Sequence, residues 1–309
     1  MPRYWRNRAI LGKIETTYGV DAAPTGAANA LQATNVNLEP LLGEDVSRDL
    51  VLPYMGHQGV LFVANYARLS FEIEIAGSGV VGTPPASGPL LRSSGLAEVI
   101  SAGVDVQYLP ISAQHEAATL WFNGDGVKHA LLGARGTMSL NLAPRQIPRF
   151  AFVYTGLLGT ISDQALPAQV LTAWKAPVPV NKANTTFSLH GLSTVGVEGV
   201  TMDLANQIEP RMLINHESIQ QVDRQMTGSA IMEAVSLATK DWFAIARAHT
   251  KGILSAQHGT VAGNIVAFDA PAVQIGRPTY GESQRILNNT LPLMYTPVAG
   301  NDEFKITFK

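Results

Sequence analysis

Gly77-Ser-Gly-Val-Val-Gly82 has the spacing of a dinucleotide-binding loop and follows a stretch that reads as a strand. That chemistry needs a helix to begin at the last glycines, so that its amino end faces a pyrophosphate. Thr83-Pro84-Pro85 follows instead, and the preceding strand is amphipathic where a buried parallel strand would be apolar throughout. A plain loop is therefore expected. Glu72 and Glu74 are two apart on that strand, which puts both carboxylates on one face at about 6–7 Å, near the spacing of a glycosidase pair. Such pairs come from different strands across a cleft, so a solvated acidic face is the expectation.

The remaining candidates are weaker. His57, His115, His129, His190, His216, His249 and His258 are scattered, and no His-Glu-x-x-His is present. Gly191-Leu-Ser-Thr-Val-Gly196 misses a nucleophile elbow by one position, and no phosphate-binding Walker sequence occurs. Asn123-Gly-Asp-Gly126 lacks the ligand ladder of a calcium loop and reads as a hairpin turn. With no cysteine, thiolate metal sites, disulfides and cysteine nucleophiles are excluded. No catalytic residue, cofactor-binding residue, metal site or cofactor is expected.

The elements that would carry these residues are mostly strands. In residues 68–75, Leu69, Phe71, Ile73 and Ile75 alternate with Arg68, Ser70, Glu72 and Glu74, the period of a strand with one face buried. Met138, Leu140 and Leu142 repeat the pattern, as do Phe150, Phe152 and Tyr154, and Phe304, Ile306 and Phe308; further strands are expected at 35–38, 186–189 and 200–204. Alternation of this kind belongs to antiparallel sheets. Two helices are expected, at 89–101 with Pro89 in the first turn and Leu96, Val99 and Ile100 on one face, and at 236–250 with Ala238, Trp242 and Ile245 on one face. Residues 77–89 form a loop, and Pro177 and Pro179 stiffen a linker within 167–184.

The chain has 309 residues, room for two domains or one large one. Strand, helix, strands occurs twice, with 69–75 before the first helix and 226–234 before the second, which suggests tandem copies at 1–165 and 166–309. Gly133-Ala-Arg-Gly-Thr-Met-Ser-Leu also echoes Gly196-Val-Glu-Gly-Val-Thr-Met-Asp-Leu, out of phase with that spacing. Net charge is −2, without the basic excess that phosphate neutralisation demands of a nucleic-acid binder. Charged residues are only 15% of the chain, which suits a subunit flanked by neighbours. Arg3, Arg6 and Arg8 are not followed by a long apolar run, and eighteen consecutive apolar residues occur nowhere, so neither a secretory signal nor a membrane-spanning helix is expected.

The opening Leu11-Gly-Lys-Ile-Glu-Thr-Thr-Tyr-Gly-Val-Asp-Ala-Ala-Pro24, the short strand from Asn35, and Glu44-Asp-Val-Ser-Arg-Asp-Leu-Val-Leu-Pro-Tyr-Met-Gly56 together resemble the tail tube (major tail) proteins of long-tailed, non-contractile bacteriophages. The resemblance is clear over about the first sixty residues. It implies a mainly β fold, a β-sandwich or half-barrel with a flanking α-helix, and a structural virion protein that is not an enzyme. Subunits would close into rings, three chains if the chain is duplicated and six otherwise, and the rings would stack into a hollow conduit for DNA ejection. Assembly in the host cytoplasm, incorporation into the virion tail, and contacts with tape measure, terminator and distal tail proteins are further implications, with DNA passing through unbound and no membrane involved. Glu72 and Glu74 become candidate lumen-facing residues. The stretch 40–59, read as too polar and irregular for a core, becomes an inter-ring or inter-subunit arm carrying Glu44, Asp45, Arg48, Asp49 and Tyr54. A carboxylate-lined wall would repel phosphate and let a duplex slide.

Three rivals make different predictions. Another β-rich virion protein, a terminator or capsid decoration, would not stack into tubes. A carbohydrate-binding sandwich would present an aromatic platform, whereas Trp5, Trp121, Trp174 and Trp242 are dispersed. A glycoside hydrolase would depend on Glu72 or Glu74.

Overall fold

A computed structural model describes residues 2–309. Strands take 53% of the chain and helices 5%, so the fold is mainly β, as the alternating pattern predicts. The first half contains β1 (Arg8–Ile14), α1 (Gly26–Asn29), β2 (Ala33–Ser47), β3 (Val60–Glu74), α2 (Gly88–Ser93), β4 (Leu96–Ser101), β5 (Asp105–Pro110), β6 (Ala118–Gly124), β7 (Val127–Leu142) and β8 (Arg149–Asp163). The second contains β9 (Thr185–Leu189), β10 (Val197–Asp203), β11 (Asn206–Leu213), β12 (His216–Arg224), β13 (Thr227–Glu233), α3 (Trp242–Arg247), β14 (Lys251–His258), β15 (Val266–Ile275), β16 (Thr279–Ser283), β17 (Ile286–Tyr295) and β18 (Lys305–Phe308).

Sixteen strands form one antiparallel sheet, and β11 and β12 make a separate hairpin. In the first half β1 pairs β6, β6 pairs β7, β7 pairs β8, β8 pairs β3 and β3 pairs β2. In the second, β9 pairs β14, β14 pairs β15, β15 and β16 pair β17, β17 pairs β13 and β13 pairs β10. The halves meet where β7 pairs β10, with Leu140 opposite Met202. They meet again where β18, paired to β15, takes β5 on its other side. The two echoing sequence segments thus end in strands that lie side by side.

Alternation decides which face is buried. Leu69, Phe71, Ile73, Met138, Leu140, Phe150, Phe152 and Tyr154 are all within the core. Phe71 stacks on Tyr154 at 6.0 Å, Phe150 meets Phe268 edge-on at 6.3 Å, and Phe268 stacks on Phe304 at 6.3 Å, so aromatic contacts run from one half into the other. Burying each such ring contributes about 1.5–3 kcal/mol.

Both helices are shorter than their periodicity suggests. The first begins where Pro89 places it but stops at Ser93, because Gly95 takes φ +80° and turns the chain. Leu96, Val99 and Ile100 then form β4, paired with β5, instead of a helical face. The second is confined to Trp242–Arg247: the Asp241 side chain accepts from Ala244 N at 2.8 Å at its start, and His249 takes φ +54° just past its end. Ala238, placed on its face by the sequence, is exposed outside it.

The expected loop runs over 77–87, with Gly88 and Pro89 already in α2, and close packing shapes it. A Cβ on Gly77 would lie 2.0 Å from Gly263 O, and one on Gly82 2.2 Å from Gly103 N, so the glycines permit backbone-to-backbone packing of loops. The hairpin turn at Asn123-Gly-Asp-Gly126 is as expected, with Asp125 and Gly126 at φ +44° and +93° between β6 and β7. The linker is tied down: Val180 is buried and exchanges backbone bonds with Arg145 and Gln146, and Trp174 Nε1 donates to Ala30 O at 2.9 Å.

Candidate functional site

The face of the sheet opposite the core forms a concave groove of about 660 Å³, lined by Asn35, Glu72, Ser139, Asn141, Arg149, Thr201, Asp203 and Ser229 among others. Alternation sets its character, since each of these residues except Asn35 neighbours a buried one along its strand. Polar side chains dominate the lining, with Leu140, Ile147 and Met202 among its apolar members.

Glu72 and Glu74 do sit on this face, each about a quarter to a third exposed, but they are not free carboxylates. Arg149, opposite Glu74 on β8, places Nη1 3.3 Å from Glu72 Oε2 and Nη2 4.0 Å from Glu74 Oε1. Asn35 Nδ2 also donates to Glu72 at 2.9 Å. Farther along the same ribbon Arg68 meets Glu39 at 3.5 Å. Arg149 and Arg68 are thus each paired with glutamate, and among the charged residues lining the groove Glu72 and Asp203 outnumber Arg149.

The arm residues lie at the other end of the β2–β3 ribbon. Glu44 and Asp45 stand opposite Val63 and Phe62 in a ladder whose register shifts on either side of Leu42, so this part of the arm is a bulged strand of a hairpin where the sequence suggests an irregular segment. Only 48–59 lacks strand. There Ser47 Oγ donates to Asp49 at 2.5 Å, Gln58 braces Leu50 through its backbone N and O, and Arg48 and Tyr54 are exposed. The arm and the start of β3 also expose apolar side chains, with Leu41, Val46, Val51, Met55, Leu61 and Phe62 all facing solvent. The structure does not bring the arm residues together with Glu72 and Glu74.

The opening motif does structural work that spacing alone did not reveal. Glu15 is buried, its Oε1 accepting from Gly133 N at 2.7 Å and Thr119 Oγ1 at 2.8 Å, and its Oε2 from Gly19 N at 2.7 Å. The Tyr18 ring lies on Gly133, where a Cβ would sit 2.7 Å from it. The Tyr18 hydroxyl accepts from Ile219 N at 2.6 Å, and burial pushes its pKa up. Arg135 stacks over Tyr18 at 5.0 Å and donates to Ile219 O and His115 O, both at 2.8 Å. Asn206 adds bonds from Nδ2 to Ser94 O at 2.7 Å and Gly136 O at 3.0 Å. Together these clamp the β11–β12 hairpin onto the first half. A Glu, a Tyr and an Arg far apart in sequence carry no local signal of that meeting.

The tryptophans do not form a platform. Trp242 is buried, Trp174 packs on the core, Trp5 stacks with Arg8 at 4.4 Å, and Trp121 carries Lys128 at 3.9 Å. Among the described residues no cluster of three metal-ligating side chains occurs. Among the described residues no helix is long and apolar enough to cross a membrane.

A family model described as phage tail tube protein matches residues 5–293. No curated protein matches the chain.

Proposed function

The chain belongs to the phage tail tube protein family, a structural component of the virion tail, and on that premise we propose that its activity is assembly: copies close into rings, and rings stack into the hollow conduit for DNA ejection. One observation carries this reading. A single sheet is apolar on one face and polar on the other, and among the described residues β2 and β16 each pair with one neighbouring strand and leave the opposite edge open. Open edges invite pairing with another chain, and a closed ring is the arrangement that uses every one of them.

The polar face would be the lumen wall, with Glu72 and Glu74 part of its charge. The recurrence of one pairing order in both halves supports two tube units per chain, at 1–165 and 166–309, and hence rings of three chains. The arm, with its solvent-facing apolar side chains, would bridge to an adjacent ring, with Glu44, Asp45, Arg48, Asp49 and Tyr54 setting its register. No catalytic step is involved. Assembly in the host cytoplasm and end contacts with tape measure, terminator and distal tail proteins complete the reading.

Imaging of concentrated protein tests it directly. Hollow tubes with threefold symmetric discs, and a native mass of three chains per disc, are the expected result; a protein that stays monomeric at high concentration overturns it. Glu72→Lys/Glu74→Lys should still form tubes while slowing DNA ejection in a complemented phage.

A further inference from the structure

Inside one chain, the junction between halves is made by two particular edges, β7 and β10, with Leu140 opposite Met202 and Asn141 opposite Thr201. Each of these strands has a counterpart whose matching edge is open. β16 stands to β17 as β7 stands to β8: Tyr280 and Gly281 face Asn289 and Asn288, as Leu140 and Asn141 face Phe150 and Arg149. β2 stands to β3 as β10 stands to β13: Leu38 and Asn37 face Leu69 and Ser70, as Met202 and Thr201 face Gly228 and Ser229. Among the described residues, β16 pairs only β17, and β2 pairs only β3.

We infer that β16 of one copy pairs antiparallel with β2 of the next, repeating between chains the junction made within each chain. Transferring the internal register places Leu38 opposite Tyr280, Asn37 opposite Gly281 and Glu39 opposite Thr279. The occupant of the open edge is thus a second copy of this chain, offered head to tail.

Two features at β16 fit an edge awaiting cover. Tyr280 lies on the strand face that its partner Asn289 shares with the buried Met232, yet it is 61% exposed, whereas its counterpart Leu140 is buried beside β10. Asn289 is 3% exposed, lines the cavity next to Tyr280, and its Oδ1 has no hydrogen-bond partner within the chain. On the other side Leu38 is only half-buried, where its counterpart Met202 is buried. A neighbouring strand would cover both the tyrosine and the leucine and satisfy a row of backbone groups.

This inference rests on the ring-forming reading, and its test separates the two. The chain has no cysteine, so Leu38→Cys/Tyr280→Cys introduces the only thiols, one at the exposed Tyr280 and one at the half-buried Leu38. Directly opposed residues on antiparallel strands lie within disulfide reach. Oxidised assemblies of the double variant should run as a covalent ladder of multimers, neither single variant should do so, and Leu38→Cys/Glu282→Cys, displaced by two residues, should crosslink far less. As a safeguard against impaired assembly, the two single variants co-assembled with excess unmodified chain should yield a crosslinked dimer. Rings or tubes seen by microscopy with no crosslink in either format overturn this junction and leave the ring reading standing. Absence of rings from the unmodified chain defeats the ring reading itself.

Discussion

At the scale of the residue, the opening motif matters because it ties distant pieces of chain together. Tyr18 supplies the acceptor for Ile219 N in the β11–β12 hairpin, and Arg135 holds the neighbouring carbonyl. Tyr18→Phe keeps the ring on Gly133 but strips that buried N–H of its partner, which costs about 1–3 kcal/mol. The expected outcome is a lower urea midpoint with unchanged slope, together with faster proteolytic cleavage at the 213–216 turn; an unchanged midpoint would mean the hairpin is held by packing alone. The same reasoning separates Glu15 from Glu72. Both are glutamates near strand ends in the sequence, but three donors converge on Glu15 from three separate segments, while Glu72 meets one arginine and one asparagine on a wetted face.

At the scale of the element, close approach of loops explains a motif that looks chemical. Gly77 sits where any Cβ would meet the backbone of Gly263, and neither loop has a flexible side chain end that could yield there. Gly77→Ala should therefore cost about 1–3 kcal/mol through forced backbone displacement. Gly199→Ala, whose added Cβ meets nothing within 4 Å, should change stability by less than about 0.5 kcal/mol. Thermal unfolding of the pair checks this, and equal stability of the two variants would contradict it. Elements also account for the two misread helices. Residues 96–101 carry apolar spacing that fits a helix as well as a strand, and the choice fell to β5 and, through it, to β18 from the far end of the chain.

At the scale of the whole molecule, one sheet and one core couple the halves, so acid should unfold them together. Burial lowers the pKa of His115, His129, His190 and His258, holding each neutral in the fold. His258 is the best defined: Nε2 donates to Val178 O at 3.1 Å and Nδ1 accepts from Thr185 Oγ1 at 2.9 Å. A group whose folded pKa lies below its unfolded value, about 6.5 for histidine, contributes nothing to pH dependence above that value. Below it the unfolded chain takes up the proton first, so stability falls with pH. Tm of the unassembled chain should be level from about pH 7 to 8 and drop between about pH 6.5 and 5, in one transition. His258→Gln should make that drop shallower, and a slope identical to the native chain's would remove His258 from the account.

Taken alone, the sequence determined the fold class, the strands whose apolar residues alternate, the glycine loop, the turn after Asn123 and the tail tube resemblance, because each is written in residues a few positions apart. What the tertiary structure decided involves partners far apart in the chain. Arg149 falls between Glu72 and Glu74 because β8 pairs β3, the arm is a hairpin because 60–66 returns along 42–47, and Tyr18 finds Ile219 across two hundred residues. Sheet pairing joins segments without regard to their separation in sequence, and alternation specifies which face a strand buries but not which strand lies beside it.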